Sequence, residues 1–211
     1  MKSTYIRVRS GIYVTNSYYI FDGQGHVLII DPACSFNKSE QILNGQIPTH
    51  IILTHGHFDH SYDCDLFVKK YDTKIYVHEE ELVYLSDSRY SAPDGIPFGY
   101  IDKIFKADST FQDRDEIKFG NDIFTVVHTP GHTLGSCCFY ADSVLFSGDT
   151  LFKNSIGRTD FPYGCDENSM TSSLKKLSDI IADDTVINPG HGFQTNMSDE
   201  KNNNPFLKMI I

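Results

Sequence analysis

Apolar positions in this chain come in short clusters separated by turn residues. Between Gly11 and Phe21 lie Ile12, Val14, Tyr18, Tyr19 and Ile20; Asp22-Gly23-Gln24-Gly25 follows, and then His26–Asp31 with Val27-Leu28-Ile29-Ile30 at its centre. Aromatic and β-branched residues on either side of such a turn predict a hairpin. His50–Thr54, Lys74–Val77 and Thr185–Asn188 predict three further strands. Glu116–Val127 predicts a hairpin turning at Gly120-Asn121, and Cys137–Tyr140 with Ser143–Ser147 predicts another. Helices are predicted over Asn37–Gly45, Asp63–Tyr71 and Glu79–Leu85, the last with acidic residues in its first turn as the helix dipole favours. The clearest amphipathic helix is Asn168–Ala182, where Met170, Leu174, Leu177, Ile180 and Ile181 fall near one face. Residues 86–105 hold two prolines and two glycines with little periodicity, and read as a long surface loop. Strands come in groups, each followed by a helix, in two similar halves. With neither a low-complexity linker nor a short-period repeat, one domain over residues 1–211 is expected.

Composition changes this picture mainly by exclusion. A net charge of −10, with 18 Lys and Arg scattered along the chain, gives no basic patch for nucleic acid or an anionic membrane. The longest apolar runs are those of strands, too short for a transmembrane helix, and the first residues lack the apolar core of a secretory signal. The five cysteines, Cys34, Cys64, Cys137, Cys138 and Cys165, are odd in number and follow no framework spacing, so a cytoplasmic, reducing location is expected. Cys137 and Cys138 are neighbours in a strand, and at least one should be buried and inert.

The unusual His and Asp residues fall at strand ends or in the loops after them, where a rigid scaffold presents chemistry. Thr54–His60 places His55, His57, Asp59 and His60 within six positions. An extended segment sets His55 and His57 on one side, and a turning backbone can aim Asp59 and His60 at a second point. Imidazole and carboxylate ligands suit zinc, iron or manganese. Three more strand ends carry His132 (in Thr129-Pro130-Gly131-His132), Asp149 (in Ser147-Gly148-Asp149) and His191 (in Pro189-Gly190-His191). Singly, each has an ordinary reading as a packed or capping residue. Jointly, seven ligands are the number that two metals sharing a carboxylate would use. His26, His50, His78 and His128 belong to no motif, and His128 is a candidate to support a ligand.

These motifs resemble the metallo-β-lactamase superfamily from Asn16 to His191. Gly148-Asp149-Thr150-Leu151-Phe152, Gly157-Arg158-Thr159-Asp160-Phe161-Pro162 and Asn204-Pro205-Phe206-Leu207 resemble, more narrowly, the short bacterial glyoxalase II-like branch. The resemblance implies an α+β fold, an αββα sandwich of two mixed sheets flanked by helices, with which the grouped strands agree. It implies a hydroxyacylglutathione hydrolase-like activity on thioesters such as S-lactoylglutathione, through a hydroxide activated by two divalent ions, zinc first and iron or manganese compatible. Carried over by position, His55, His57 and His132 hold one ion, Asp59, His60 and His191 the other, and Asp149 bridges. Asp59 is also the expected catalytic partner of the attacking water. Arg158 stands where the family often carries a cation for the glycyl carboxylate of glutathione; an internal pair with Asp160 is the competing reading. The longer glyoxalase II enzymes add a C-terminal helical domain with further glutathione contacts, which has no counterpart after His191. The implied partner is a small thioester, with neither nucleic acid nor membrane. A persulfide dioxygenase of the same fold, with one iron on His55, His132 and Asp149, and a lactonase are the rival enzymes; a binding module on a degenerate scaffold is the non-enzymatic one. A β-lactamase of the common di-zinc type would offer Cys where Asp149 stands, so drug hydrolysis is not expected.

Overall fold

A computed structural model describes residues 1–11, 13–92, 95, 105–162 and 166–210. It contains two six-stranded sheets and a small hairpin. In the first sheet β1 (Thr4–Ser10), β2 (Thr15–Phe21) and β3 (His26–Ile30) run antiparallel, and β4 (Ile47–Ile52), β5 (Lys74–His78) and β6 (Ser109–Phe111) extend it in parallel. In the second, β7 (Glu116–Phe119), β8 (Asp122–His128), β9 (Cys137–Ala141) and β10 (Val144–Gly148) form an antiparallel meander. The hairpin of β11 (Leu151–Phe152) and β12 (Ser155–Ile156) follows. β13 (Val186–Pro189) then pairs parallel to β10, and β14 (Thr195–Asn196) completes the edge. The helices are α1 (Phe36–Leu43), α2 (Phe58–Ser61), α3 (Cys64–Tyr71), α4 (Ser88–Ser91), α5 (Glu167–Ile180), α6 (Met197–Asn203) and α7 (Pro205–Lys208). None of the helices among the described residues is long and apolar enough to cross a membrane.

The layering follows from side-chain alternation along strands that are apolar on both faces. Tyr18, Ile20, Leu28 and Ile30 meet Phe124, Val126, Phe139 and Phe146 between the sheets. Their neighbours Tyr19, Val27 and Ile29 point the other way, against Leu43 of α1 and Phe67 of α3. On the far side Val127, Leu145 and Ile187 pack under Met170, Leu174 and Leu177 of α5. The result is the expected αββα sandwich. Cys137 faces the inter-sheet layer and Cys138 the helical one, and both are buried. Burial pushes the Cys137 thiol well up and that of Cys138 to about 11, so neither is a reactive thiolate at neutral pH.

Several local expectations need correction. The strand expected from Gly11 begins only at Thr15, because Gly11 and Val14 adopt positive φ and form the turn between β1 and β2. β4 starts earlier than His50 and includes Pro48, beside an irregularity in its pairing with β3. The helix expected over Glu79–Leu85 reduces to a 3-10 turn at Glu79–Glu81. There Glu81 is fully buried while Leu82 is exposed, the reverse of what an amphipathic helix would do. The loop over 86–105 contains α4, capped by Asp87; 93–94 and 96–104 of it, like Cys165 and Ile12, lie outside the described residues.

Candidate metal centre

β4, β8, β10 and β13 end on one rim of the sandwich, and the seven candidate ligands follow those ends. His57 is still extended, with φ −63° and ψ 146°, and the chain then coils into the single turn of α2. His55 and His57 are therefore adjacent, with ring centroids 4.7 Å apart, while Asp59 and His60 are turned to the side. The seven form three groups: His55, His57 and His132; His55, His60 and Asp149; Asp59, His60 and His191, the ligand atoms of each lying within 4.8 Å of one another. Asp149 stands between the outer two. Its Oδ2 is 3.6 Å from His132 Nε2 and 3.3 Å from His191 Nε2, and its Oδ1 is 3.4 Å from His60 Nε2. All seven residues are thus brought together.

Hydrogen bonds to the far ring nitrogens decide which atoms face the centre. His60 Nδ1 lies 2.9 Å from Asp31 Oδ2, and a carboxylate only accepts, so Nδ1 carries the proton and Nε2 faces inward. His132 Nδ1 donates to the Arg158 carbonyl at 2.8 Å, and His191 Nδ1 to that of Tyr13 at 3.2 Å. The Thr54 hydroxyl donates to Asp31 Oδ2 at 2.7 Å and so receives the His55 Nδ1 proton at 3.1 Å. The bare Nε2 of His55 is then buried with no hydrogen-bond partner, as is Asp149 Oδ1. A bare, buried imidazole nitrogen beside a carboxylate oxygen held only by an ion pair is unfavourable in a protein alone and natural beside a cation. The donor set therefore fits divalent metal ions.

Glycines make room for this arrangement. A Cβ at Gly190 would collide with Asp149 Oδ1, and one at Gly157 with the Asp149 carbonyl. Asp31, Thr15 and Glu81 support the centre although no motif marks them. Thr15 donates to Asp59 Oδ2 at 2.7 Å. Glu81 accepts from the backbone of Gly56 and Gly135. Asp31 could have been found, since it ends an apolar strand run just as Asp149 does. His128 reaches none of the seven: its ring stacks on His78 at 4.1 Å and its Nε2 bonds the Leu134 carbonyl. The His78, Glu80 and His128 group is near enough for a metal, but its parallel rings do not converge on one point.

A cleft of about 400 Å³ opens over the centre, walled by Tyr13, Phe58, Phe152, Ile156 and Phe161. Arg158 sits at its edge with its guanidinium 3.9 Å above the Phe161 ring, and its Nε donates to Asp160 Oδ1 at 2.8 Å. The internal pair is formed, and the cation still lines the cleft.

Residues 11–191 match the family model described as the metallo-beta-lactamase superfamily. Hydroxyacylglutathione hydrolase GloC of Haemophilus influenzae is 34% identical over 200 residues, covering 91% of this chain and 92% of that protein. The structure of BLEG-1 B3 metallo-beta-lactamase superposes with a TM-score of 0.88 at 31% identity, covering 97% of this chain and 99% of that one. TTHA1623, solved in a di-iron-bound form, gives a TM-score of 0.83 at 31% identity, covering 96% and 100%.

Proposed function

From the premise that the chain belongs to the metallo-β-lactamase superfamily and is a metallohydrolase of it, we propose that it hydrolyses thioesters of the S-lactoylglutathione kind with two divalent ions. The observation that carries the reading is the Asp149 carboxylate, which reaches both His132 and the His60–His191 side. One ion would be held by His55, His57 and His132, the other by Asp59, His60 and His191, with Asp149 shared. Zinc is the first choice, and the di-iron form of a 31% identical relative makes iron the alternative. Such ions supply a water ionised near neutral pH and a Lewis acid for the carbonyl.

The chain's own residues do the rest. Burial opposes charge on Asp59, but His60 and His191 outweigh it and hold the carboxyl down at about 2. Asp59 is therefore ionised at working pH. With Thr15 fixing its Oδ2, it can accept a hydrogen bond from the attacking water and orient it. The aromatic walls exclude bulk water and seat the acyl group. A thiolate leaving group, with an ordinary pKa of about 8.5, needs no dedicated acid. Arg158, steadied by Asp160 and Phe161, is placed to meet a substrate carboxylate. Cys34, Cys137 and Cys138 are buried free thiols, which suits an enzyme of the cytoplasm.

The test compares thiol release from S-lactoylglutathione with oxygen consumption on glutathione persulfide and with opening of a β-lactam, using metal-loaded protein. The β-lactam arm is included because of the B3 neighbour. Metal-dependent thioester turnover is expected to dominate. Oxygen consumption with a single bound iron would assign the dioxygenase reading instead, and faster β-lactam opening would assign the lactamase one.

A further inference from the structure

Glu81 is a fully buried carboxylate that the chemistry above does not use. It sits on the 3-10 turn after β5, away from all seven candidate ligands in sequence. Burial raises its pKa to about 7 against hydrogen bonds from Thr133, Gly56 and Gly135 that favour the charged form. An acid in such a position is costly unless its oxygens are used. Both are. Oε2 accepts the Gly56 N–H at 2.6 Å, and Oε1 accepts the Gly135 N–H at 2.7 Å.

These two amides belong to different loops. Gly56 lies between His55 and His57, and Gly135 lies three residues after His132. The loops already meet at their base, where Cys137 N donates to the Thr54 carbonyl at 2.8 Å. Glu81 ties them again, at the level of the ligands. Both loops present glycine where it approaches. A Cβ at Gly135 would lie 2.8 Å from Glu81 Cγ, and one at Gly56 would run into Tyr84 Cβ with Glu81 Oε2 only 3.2 Å away. The Asp59, His60 and His191 group has its own supports in Thr15, Asp31 and the Tyr13 carbonyl, and Glu81 touches none of them.

We propose that Glu81 is a positioning residue that sets the spacing of His55 and His57 against His132, and so tunes one metal position selectively. The inference rests on the reading that these three histidines hold an ion. Each oxygen serves a different loop, so glutamine can replace only one of the two bonds. The residue acts through backbone amides and never meets the substrate.

Zinc affinity, measured by chelator competition in single-position backgrounds, tests this. His191→Ala leaves the three-histidine position, and His132→Ala leaves the other. Adding Glu81→Ala to His191→Ala should weaken the remaining ion about 10- to 100-fold, the range for a support removed from behind metal ligands. Adding it to His132→Ala should change the remaining ion less than about threefold, as for uncoupled sites. Glu81→Gln should fall between wild type and alanine, and it carries the test if the alanine variant does not fold. Equal losses in both backgrounds would make Glu81 a general support of the fold, and no loss in either would remove the clamp altogether. Wild-type protein that takes up fewer than two ions would overturn the two-metal reading instead, a result distinguishable from either.

Discussion

His55, His57 and His132 lie within a few ångströms of His60 and His191, yet the two groups sit on opposite sides of histidine's ordinary range. Burial, aided by the neighbouring imidazoles, holds His55 well below it and His57 at about 3, and burial also lowers His132 against the pull of Asp149. Around the other two, burial is overcome. Asp59, Asp149 and Asp31 raise His60 to about 9, and Asp149 with Asp59 raises His191 to about 11. The first group offers neutral lone pairs to a cation. The second is an ion-paired cluster that satisfies itself with protons until a cation displaces them. Carboxylate placement, and not histidine count, sets the difference.

The largest way to break the comparison is to remove the carboxylate common to both sides. Asp149→Ala should lose metal at both positions and slow turnover on the order of a hundredfold or more, as when a principal electrostatic element leaves a site. Full metal content with near-normal turnover would end the bridging role. Asp31→Ala acts most directly on one side, since it strips His60 Nδ1 of its acceptor, and it reaches His55 only indirectly, through Thr54. Metal affinity should fall about 10- to 100-fold at the position of His60. Calorimetric titration of metal into that variant resolves the two ions.

The pH dependence sharpens the same contrast. The Nε2 protons of His60 and His191 must leave when a cation binds, so affinity at that position should rise with pH from 6 towards 9 and binding should release protons. The three-histidine position should change little above pH 7. Calorimetry in buffers of different ionisation heat counts the protons, and equal counts for both ions would erase the distinction. In metal-free protein the raised pKa of His60 contributes stability below its ordinary value of 6.5, and that contribution is lost as pH rises through about 9. Melting temperature without metal should fall across that window. The smallest effect belongs to Arg158. Because its guanidinium is exposed and already paired with Asp160, Arg158→Ala should raise KM for S-lactoylglutathione at most about fivefold with kcat kept. A neutral thioester should respond less, and equal loss on both with a lower melting point would leave Arg158 a structural role alone.

What the sequence made legible follows from where side chains point. Strands such as β3, apolar on both faces, announce themselves, and so do ligands packed into one short segment. β1 carries no apolar alternation that a pattern can show: Arg7 is half-buried while Ile6 is exposed, and only Val8 is fully covered. β6, β11, β12 and β14 are two or three residues long and exist through their partners. Asp31 looked like the last residue of a strand; its left-handed backbone, φ 53°, is what turns its carboxylate to Thr54 and His60. Glu81 lay in a run of three glutamates that reads as a solvated helix start. Its burial depends on two loops far away in the chain, which local pattern does not encode.

The seven candidate ligands are drawn from both sheets, four from the segment after β4 and three from the ends of β8, β10 and β13. The first half also meets the second directly at this rim, where Asn16 N donates to the Gly190 carbonyl at 2.7 Å. An ion held there is a cross-link between the two halves of the molecule, and it must dissociate before they separate. Each tenfold rise in free metal above its dissociation constant then adds about 1.4 kcal/mol to the unfolding free energy. A chelator withdraws that increment and lowers the melting temperature, while the buried apolar layers still hold the two sheets together.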